Sequence, residues 1–289
     1  MKTKQLLICL LALFLLNAFA QETGAKTTPA PQETTDNGAS VVPEEPIHKV
    51  AIYLQYSDKY MDKGIVLTRA GVLHPFLSFS LYDFYVGIYG IFDLNTKNEP
   101  QNVKYTFEKT ELFVGYAHEF NAVPLIDSLA VDLRWAYYCY PHRAGKYDEN
   151  GIFRRWCDGC TQEVSLSLVT GLPLQPGVEM YWDYEHRGIA GALTLEHSLP
   201  VSFISDKLYL DNFAELWAGN NNYNLNKRNA IRTAQLTTSL NYAYNDNVSF
   251  GPFIQMAWHL DSSFRKAVED SPINNAFNYI IGFSIFTRF

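Results

Sequence analysis

The chain has 289 residues, 47% of them hydrophobic, with 19 Tyr, 19 Phe and a formal net charge of −7. That length accommodates one domain or two, and the weighting toward aromatics favours strands over Leu- and Ala-rich helices. No basic surplus exists, so a broad nucleic-acid surface is excluded.

Residues 1–20 read as a cleaved export signal. Lys2 and Lys4 open it, Leu6 to Leu16 form an apolar core, and Ala18-Phe19-Ala20 supplies a small-x-small cleavage site. Losing the two lysines takes the net charge from −7 to −9. Residues 21–48 are rich in Thr, Pro, Glu and Ala and carry almost no large apolar side chains, which predicts a disordered periplasmic segment.

From residue 49 to residue 289 the chain alternates with a period of two, the pattern of strands. Val50, Ile52, Leu54 and Tyr56 share one face, then Leu73, Leu77, Phe79 and Leu81, then Phe84, Val86, Ile88 and Phe92. Leu112, Val114 and Tyr116 follow, and Leu129, Val131, Leu133, Trp135 and Tyr137 continue the series. Later segments start near Val164, Val178, Leu193, Leu208, Leu236 and Val248. The last runs from Asn275 to Phe289. This makes twelve strands. An even number places both termini of an antiparallel barrel on one side.

The connections after even-numbered strands are short, and most after odd-numbered ones are long and polar; the seventh, near Arg187-Gly188, is short and breaks the rule. Apolar faces that end in aromatics, and segments of about 9–13 residues, match strands crossing a bilayer. The expected fold is therefore all-β: a transmembrane antiparallel up-and-down β-barrel. The terminal Phe289 resembles the closing signal read by the barrel-assembly machinery of outer membranes, which makes that machinery an expected partner.

The opposite, inward faces gather carboxylates. Glu111, Asp132, Asp183, Glu196, Asp211 and Glu215 fall at mid-height, with Glu163, Glu179 and Glu185 nearer the ends and Arg134 as the one deep basic residue. An acidic ring in a narrow passage concentrates cations. The long loops are basic instead, Lys59, Lys63, Arg154 and Arg155 among them, which suits contact with lipopolysaccharide phosphates. Arg154-Arg155 makes the Pro141–Cys160 loop the expected constriction. Cys157 and Cys160 in C-x-x-C spacing predict a loop disulfide in an oxidising compartment. With Cys139 the mature chain has three cysteines, so one stays unpaired, and the sequence does not fix which.

Catalysis finds less support. None of His48, His74, His118, His142, His186, His197 and His259 is followed two positions later by Ser, the strand-borne pairing of outer-membrane phospholipase. No catalytic residue, metal or cofactor is expected.

Met61-Asp62-Lys63-Gly64-Ile65-Val66-Leu67, His74-Pro75-Phe76-Leu77-Ser78-Phe79-Ser80 and Val86-Gly87-Ile88-Tyr89-Gly90 together resemble the opening of the TorF-like porins. There an aromatic-x-basic-Gly-Ile turn precedes a Pro-led strand and a Gly-aromatic-Gly strand; here Lys63 stands where Arg is usual. The resemblance implies an outer-membrane channel in a Gram-negative-type bacterium and transfers no site residue. The expected function is passive diffusion of small polar solutes with mild cation preference, within outer-membrane lipid. The alternatives are a closed barrel that binds a surface partner and, further off, a phospholipase-type hydrolase.

Overall fold

The computed structural model describes residues 48–68, 71–94, 106–139, 160–185, 187–223, 228–269 and 274–289. They belong to a compact unit, Ile47–Phe289. The expected signal segment and residues 21–47 of the expected periplasmic segment, together with Arg154, Arg155 and Cys157, lie outside the described residues, while His48 already belongs to the first strand.

In chain order the elements are β1 (His48–Ser57), β2 (Tyr60–Asp62), β3 (Ile65–Thr68), β4 (Val72–Leu81), β5 (Phe84–Asp93), β6 (Thr106–Val123) and β7 (Asp127–Cys139). Then come β8 (Cys160–Thr170), β9 (Gly177–Asp183), β10 (Gly188–Pro200), β11 (Leu208–Gly219), β12 (Ala230–Asn245), β13 (Val248–His259), the helix α1 (Ser262–Glu269) and β14 (Phe277–Arg288). Twelve strands close into one antiparallel barrel, in which each pairs with its chain neighbour and β1 pairs with β14. The remaining two, β2 and β3, pair only with each other.

Closure rests on a register that sets Leu54 opposite Ile285 and Tyr56 opposite Phe283. The last residue is locked in as well: Val50 and Phe289 exchange both backbone hydrogen bonds at 2.9 Å. We call the end of the barrel holding this pair the turn end, because its connections are short, Tyr82-Asp83 and Asp246-Asn247 among them. The opposite, loop end carries the longer connections, apart from the turn at 184–187.

The period of two puts one face of every strand outward, and that face is apolar. Leu112, Leu133, Met180, Leu193 and Ile281 are each about half exposed. Aromatics rim both ends of this band: Tyr56, Trp135, Trp182 and Tyr279 at the loop end, and Phe84, Phe120, Tyr244 and Phe289 at the turn end. An apolar exterior around a polar interior inverts the arrangement of a water-soluble protein. Its solvent is hydrocarbon, where every backbone group must be paired and only a closed ring leaves no edge. This is a transmembrane β-barrel.

Inward, glycines make room for rings on the facing strand. Phe113 lies directly across from Gly87, and Tyr85 across from Gly115. A Cβ at either glycine would meet the opposing ring at 2.4 or 2.3 Å. Phe253 uses Gly282 in the same way.

The chain between β1 and β4 departs from the sequence reading, which made residues 57–70 an external loop. Residues 60–68 instead fold back as the β2–β3 hairpin and enter the lumen. Lys63 (φ 47°) and Gly64 (φ 87°) form its two-residue turn, both in the left-handed region, as a type I′ hairpin turn requires. Met61 and Val66 bury against Phe253, Ala257 and Ile280 on the barrel wall, and Tyr60 buries against Val72 and Ile91. The other loop-end element, α1, buries Phe264 and Val268, one turn apart. Asp261 caps it, accepting from the Phe264 N–H and the Ser263 hydroxyl, both at 2.7 Å.

Candidate functional site

Charged side chains from several strands converge in the lumen, and the hairpin turn crosses it. Lys63 reaches the far wall. There its ammonium meets the Tyr223 hydroxyl and stands 3.8 Å from the Glu163 carboxylate. Three rings surround it, Tyr181, Tyr223 and Trp217, with centroids at 4.4, 4.9 and 5.3 Å. Such a cage holds a cation by the negative faces of its rings as well as by the ion pair. Glu163 is fixed in turn by hydroxyl donors from Tyr138 at 2.9 Å and Tyr223 at 3.2 Å.

Burial alone would lower the Lys63 pKa, yet Tyr223, Glu163 and Asp62 around it raise it above the ordinary lysine value. Asp62 beside it shows the converse. Burial pushes its carboxyl up, but Lys109, Lys63 and Arg232 outweigh that and hold it below the usual range. Hairpin and wall thus carry interlocking charges.

The hairpin is fastened along its edge too. The Asn274 amide bonds both the N–H and the carbonyl of Val66. Asn278 donates to the Gly64 carbonyl at 3.2 Å. On the opposite leg, Lys59 donates to the Tyr279 carbonyl at 3.1 Å and lies over that ring at 4.2 Å.

Most of the carboxylates read from the sequence do face this interior, and they divide into two groups. Glu111 pairs with Arg134, which also covers the Phe113 ring at 4.1 Å, and with Lys109 at 3.5 Å. With Glu163 and Lys63, these make a compensated wall on β6–β8. The second group meets neutral donors. Asp132 accepts from Tyr85 at 2.5 Å, Glu179 from Tyr181 at 2.5 Å, Asp183 from Thr161 at 2.8 Å, and Asp211 from Asn241 at 2.6 Å. Glu215 accepts from Gln235. Glu196 lies exposed toward the turn end of β10, and Glu185 lies in the exposed turn beyond β9. Glu185 therefore leaves the lumen, because β9 ends two residues earlier, at Asp183.

One further correction concerns basic groups. Arg134 is not the lone deep cation: Lys63, Lys109 and Arg232 join it. Arg232 is buried beneath Tyr223 and Trp217, at 5.2 and 5.5 Å, where a register shift in the β11–β12 ladder interrupts the alternation. The Pro141–Cys160 loop, expected as the constriction, lies outside the described residues apart from Cys160, and within the described residues it is the β2–β3 hairpin that enters the lumen. The signal for it was present in the sequence as two short apolar runs flanking Lys63-Gly64.

Space remains on both sides of the hairpin. Beside its turn a cavity of about 220 Å3 is lined by Asp62, Lys63, Lys109, Glu163 and Asp183. Toward the turn end a larger one, about 460 Å3, is lined by amides and hydroxyls, among them Gln55, Thr237, Ser239, Asn241, Gln255 and Ser284.

A Ser–His contact does exist in three dimensions, between Ser57 and His74 at 3.2 Å. It is not arranged for catalysis. Ser57 donates its hydroxyl proton to the Lys59 carbonyl at 2.7 Å, so the imidazole Nε2 must be the donor to the serine oxygen. Nδ1 accepts from Tyr89 at 2.7 Å, which fixes that tautomer. The base faces Tyr89, and both Ser57 and His74 are buried.

No protein-family model matches the chain, and no curated protein matches it. Among solved structures, the barrel is similar to the KdgM porin, with 8% identity over 83% of this chain and 98% of the other, at a TM-score of 0.44. It is similar to an outer membrane channel from Pseudomonas putida F1, with 12% identity over 89% and 100% and a TM-score of 0.43. LpxR from Salmonella typhimurium is another, with 11% identity over 83% and 99% and a TM-score of 0.40. At these values the functional reading must come from the lumen of this chain itself.

Proposed function

We propose that the protein is a porin-like channel of a Gram-negative-type outer membrane, narrowed by its own first hairpin, through which small polar solutes diffuse passively. The observation that carries this is the polar, cavity-bearing lumen on both sides of Lys63. A barrel whose interior was filled by side chains along its whole height would leave no such volume. Charged groups next to open volume suit a passage in which solutes exchange water for amides, hydroxyls and carboxylates.

A mild cation preference goes with this reading. Arg134, Lys109 and Lys63 lie against Glu111 and Glu163, while Glu179 and Asp211 rest on neutral donors and keep their field in the passage. Outer-membrane lipid and lipopolysaccharide would surround the apolar band, and the Phe289-terminated strand would be read by the assembly machinery. The protein acts without chemistry of its own.

The second reading is a closed barrel that binds a surface partner. The apolar seat of Met61 and Val66 favours it, since a hairpin so packed stays in place. Planar-bilayer recording separates the two. Discrete steps with a cation-biased reversal potential across a salt gradient are the expected result for the channel. Electrical silence of correctly folded protein would overturn it in favour of the binder.

A further inference from the structure

We propose that Cys139 and Cys160 are joined by a cross-strand disulfide that clasps the loop ends of β7 and β8. The two residues are direct partners, forming the last rung of the β7–β8 ladder before the chain leaves the barrel. Their sulfurs lie 2.8 Å apart, and both residues are half-buried.

The ladder supplies the geometry. Opposed residues of an antiparallel pair have Cα atoms roughly 4.5–5.5 Å apart, inside the window of about 4.4–6.8 Å that a disulfide spans. Opposed residues also share a face. Cys139 follows Trp135 and Tyr137 on the outward side of β7, and Cys160 precedes Gln162 and Val164 on the outward side of β8. No backbone movement is needed to join them.

The bond encloses the twenty residues 140–159. A longer closed loop restricts the unfolded chain more than the short C-x-x-C ring of Cys157 and Cys160 would. If Cys160 is engaged across the ladder, Cys157 becomes the odd thiol. The clasp also reaches the lumen through its neighbours. Tyr138 and Thr161, the next rung, face inward, and Tyr138 holds the Glu163 carboxylate that faces Lys63.

Formation balances as thiol–disulfide exchange with a protein disulfide of the exporting compartment. One cysteine thiolate attacks that disulfide to give a mixed disulfide, and the second then displaces the oxidant as its dithiol. The Sγ–Sγ bond forms, two electrons reduce the oxidant, and its two sulfurs take up the two protons.

The test uses full-length protein recovered from membranes of exporting cells, denatured and alkylated without reductant. Trypsin leaves Cys157 and Cys160 in one peptide, so a protease that cuts before Asp158 is added to separate them. The expected result is a cross-linked species joining the Cys139 and Cys160 peptides, lighter by two hydrogens than their sum, with Cys157 alkylated. A link between Cys157 and Cys160 with Cys139 alkylated would overturn the proposal, and so would alkylation of all three. In Cys157→Ser the Cys139–Cys160 link should persist undiminished. Two alkylated thiols in that variant would count against it, and because the assay reads covalent linkage in wild type as well, poor folding of the variant leaves it decisive.

Discussion

The side chain of Asn274 stands in for a missing strand at Val66. Its Oδ1 accepts from the Val66 N–H at 2.8 Å, and its Nδ2 donates to the Val66 carbonyl at 2.9 Å. The outer edge of a two-stranded hairpin would otherwise carry unpaired backbone groups into a partly dry lumen, at a cost of about 1–3 kcal/mol for each group left unsatisfied. Asn274→Ala should therefore weaken hairpin docking by about 2–4 kcal/mol and leave the barrel ladder intact. Hydrogen exchange in detergent micelles checks this. The Val66 amide should lose protection while amides of the β13–β14 ladder keep theirs, and equal protection at Val66 in both proteins would contradict it.

Lys63→Met keeps most of the aliphatic stem and removes the charge that faces Glu163. Removing one partner of a buried pair costs about 3–5 kcal/mol, so the hairpin turn should leave its aromatic cage more often. The passage should then become more strongly cation-selective, since Glu163 loses its counter-charge. Reversal potentials in a salt gradient measure the shift; a move toward anion selectivity would argue against the placement.

Lys63 and its neighbour Asp62 set a pH window. The raised pKa of Lys63 makes its contribution complete below the ordinary lysine value of about 10.4 and lost as pH rises through the still higher folded value. The lowered pKa of Asp62 makes its contribution complete above the ordinary carboxylate value of about 3.9 and lost as pH falls through the folded value. The hairpin should stay docked from roughly pH 4 to pH 10. Protection of the Val66 amide, corrected for intrinsic exchange, should be flat across that range, and a transition near neutrality would show that other groups hold the hairpin.

Much of the architecture was legible because a barrel repeats one rule. Ile52, Leu54 and Tyr56 face lipid for the same reason as Ile281, Phe283 and Ile285, and period two reads that directly. The constriction was harder to read. Lys63 lies at a turn between two short apolar runs, where charge suggests solvent, and its ring cage comes from β9, β11 and the turn after β11, all distant in sequence. Arg232 escaped because the register shift beside it breaks the alternation that located everything else. Cys139 and Cys160 are far apart in sequence yet share a rung, a proximity that spacing along the chain does not show.

Selectivity should reside in the lumen carboxylates that accept from neutral donors, Asp183 from Thr161 and Glu215 from Gln235. Asp183→Asn combined with Glu215→Gln keeps shape and hydrogen-bonding capacity while removing two charges from β9 and β11. The cation permeability ratio should fall toward unity with little change in conductance. An unaltered ratio would place the selective groups elsewhere.

The central claim, that the hairpin narrows a membrane-spanning passage, is tested most directly by single-channel conductance with and without it. A variant in which a short Gly-Ser turn replaces residues 59–69 leaves every barrel strand in place. The account predicts severalfold larger unitary steps for this variant than for the wild type in the same salt. Equal steps in the two proteins would contradict it, as would the absence of steps from a correctly folded hairpin-less barrel.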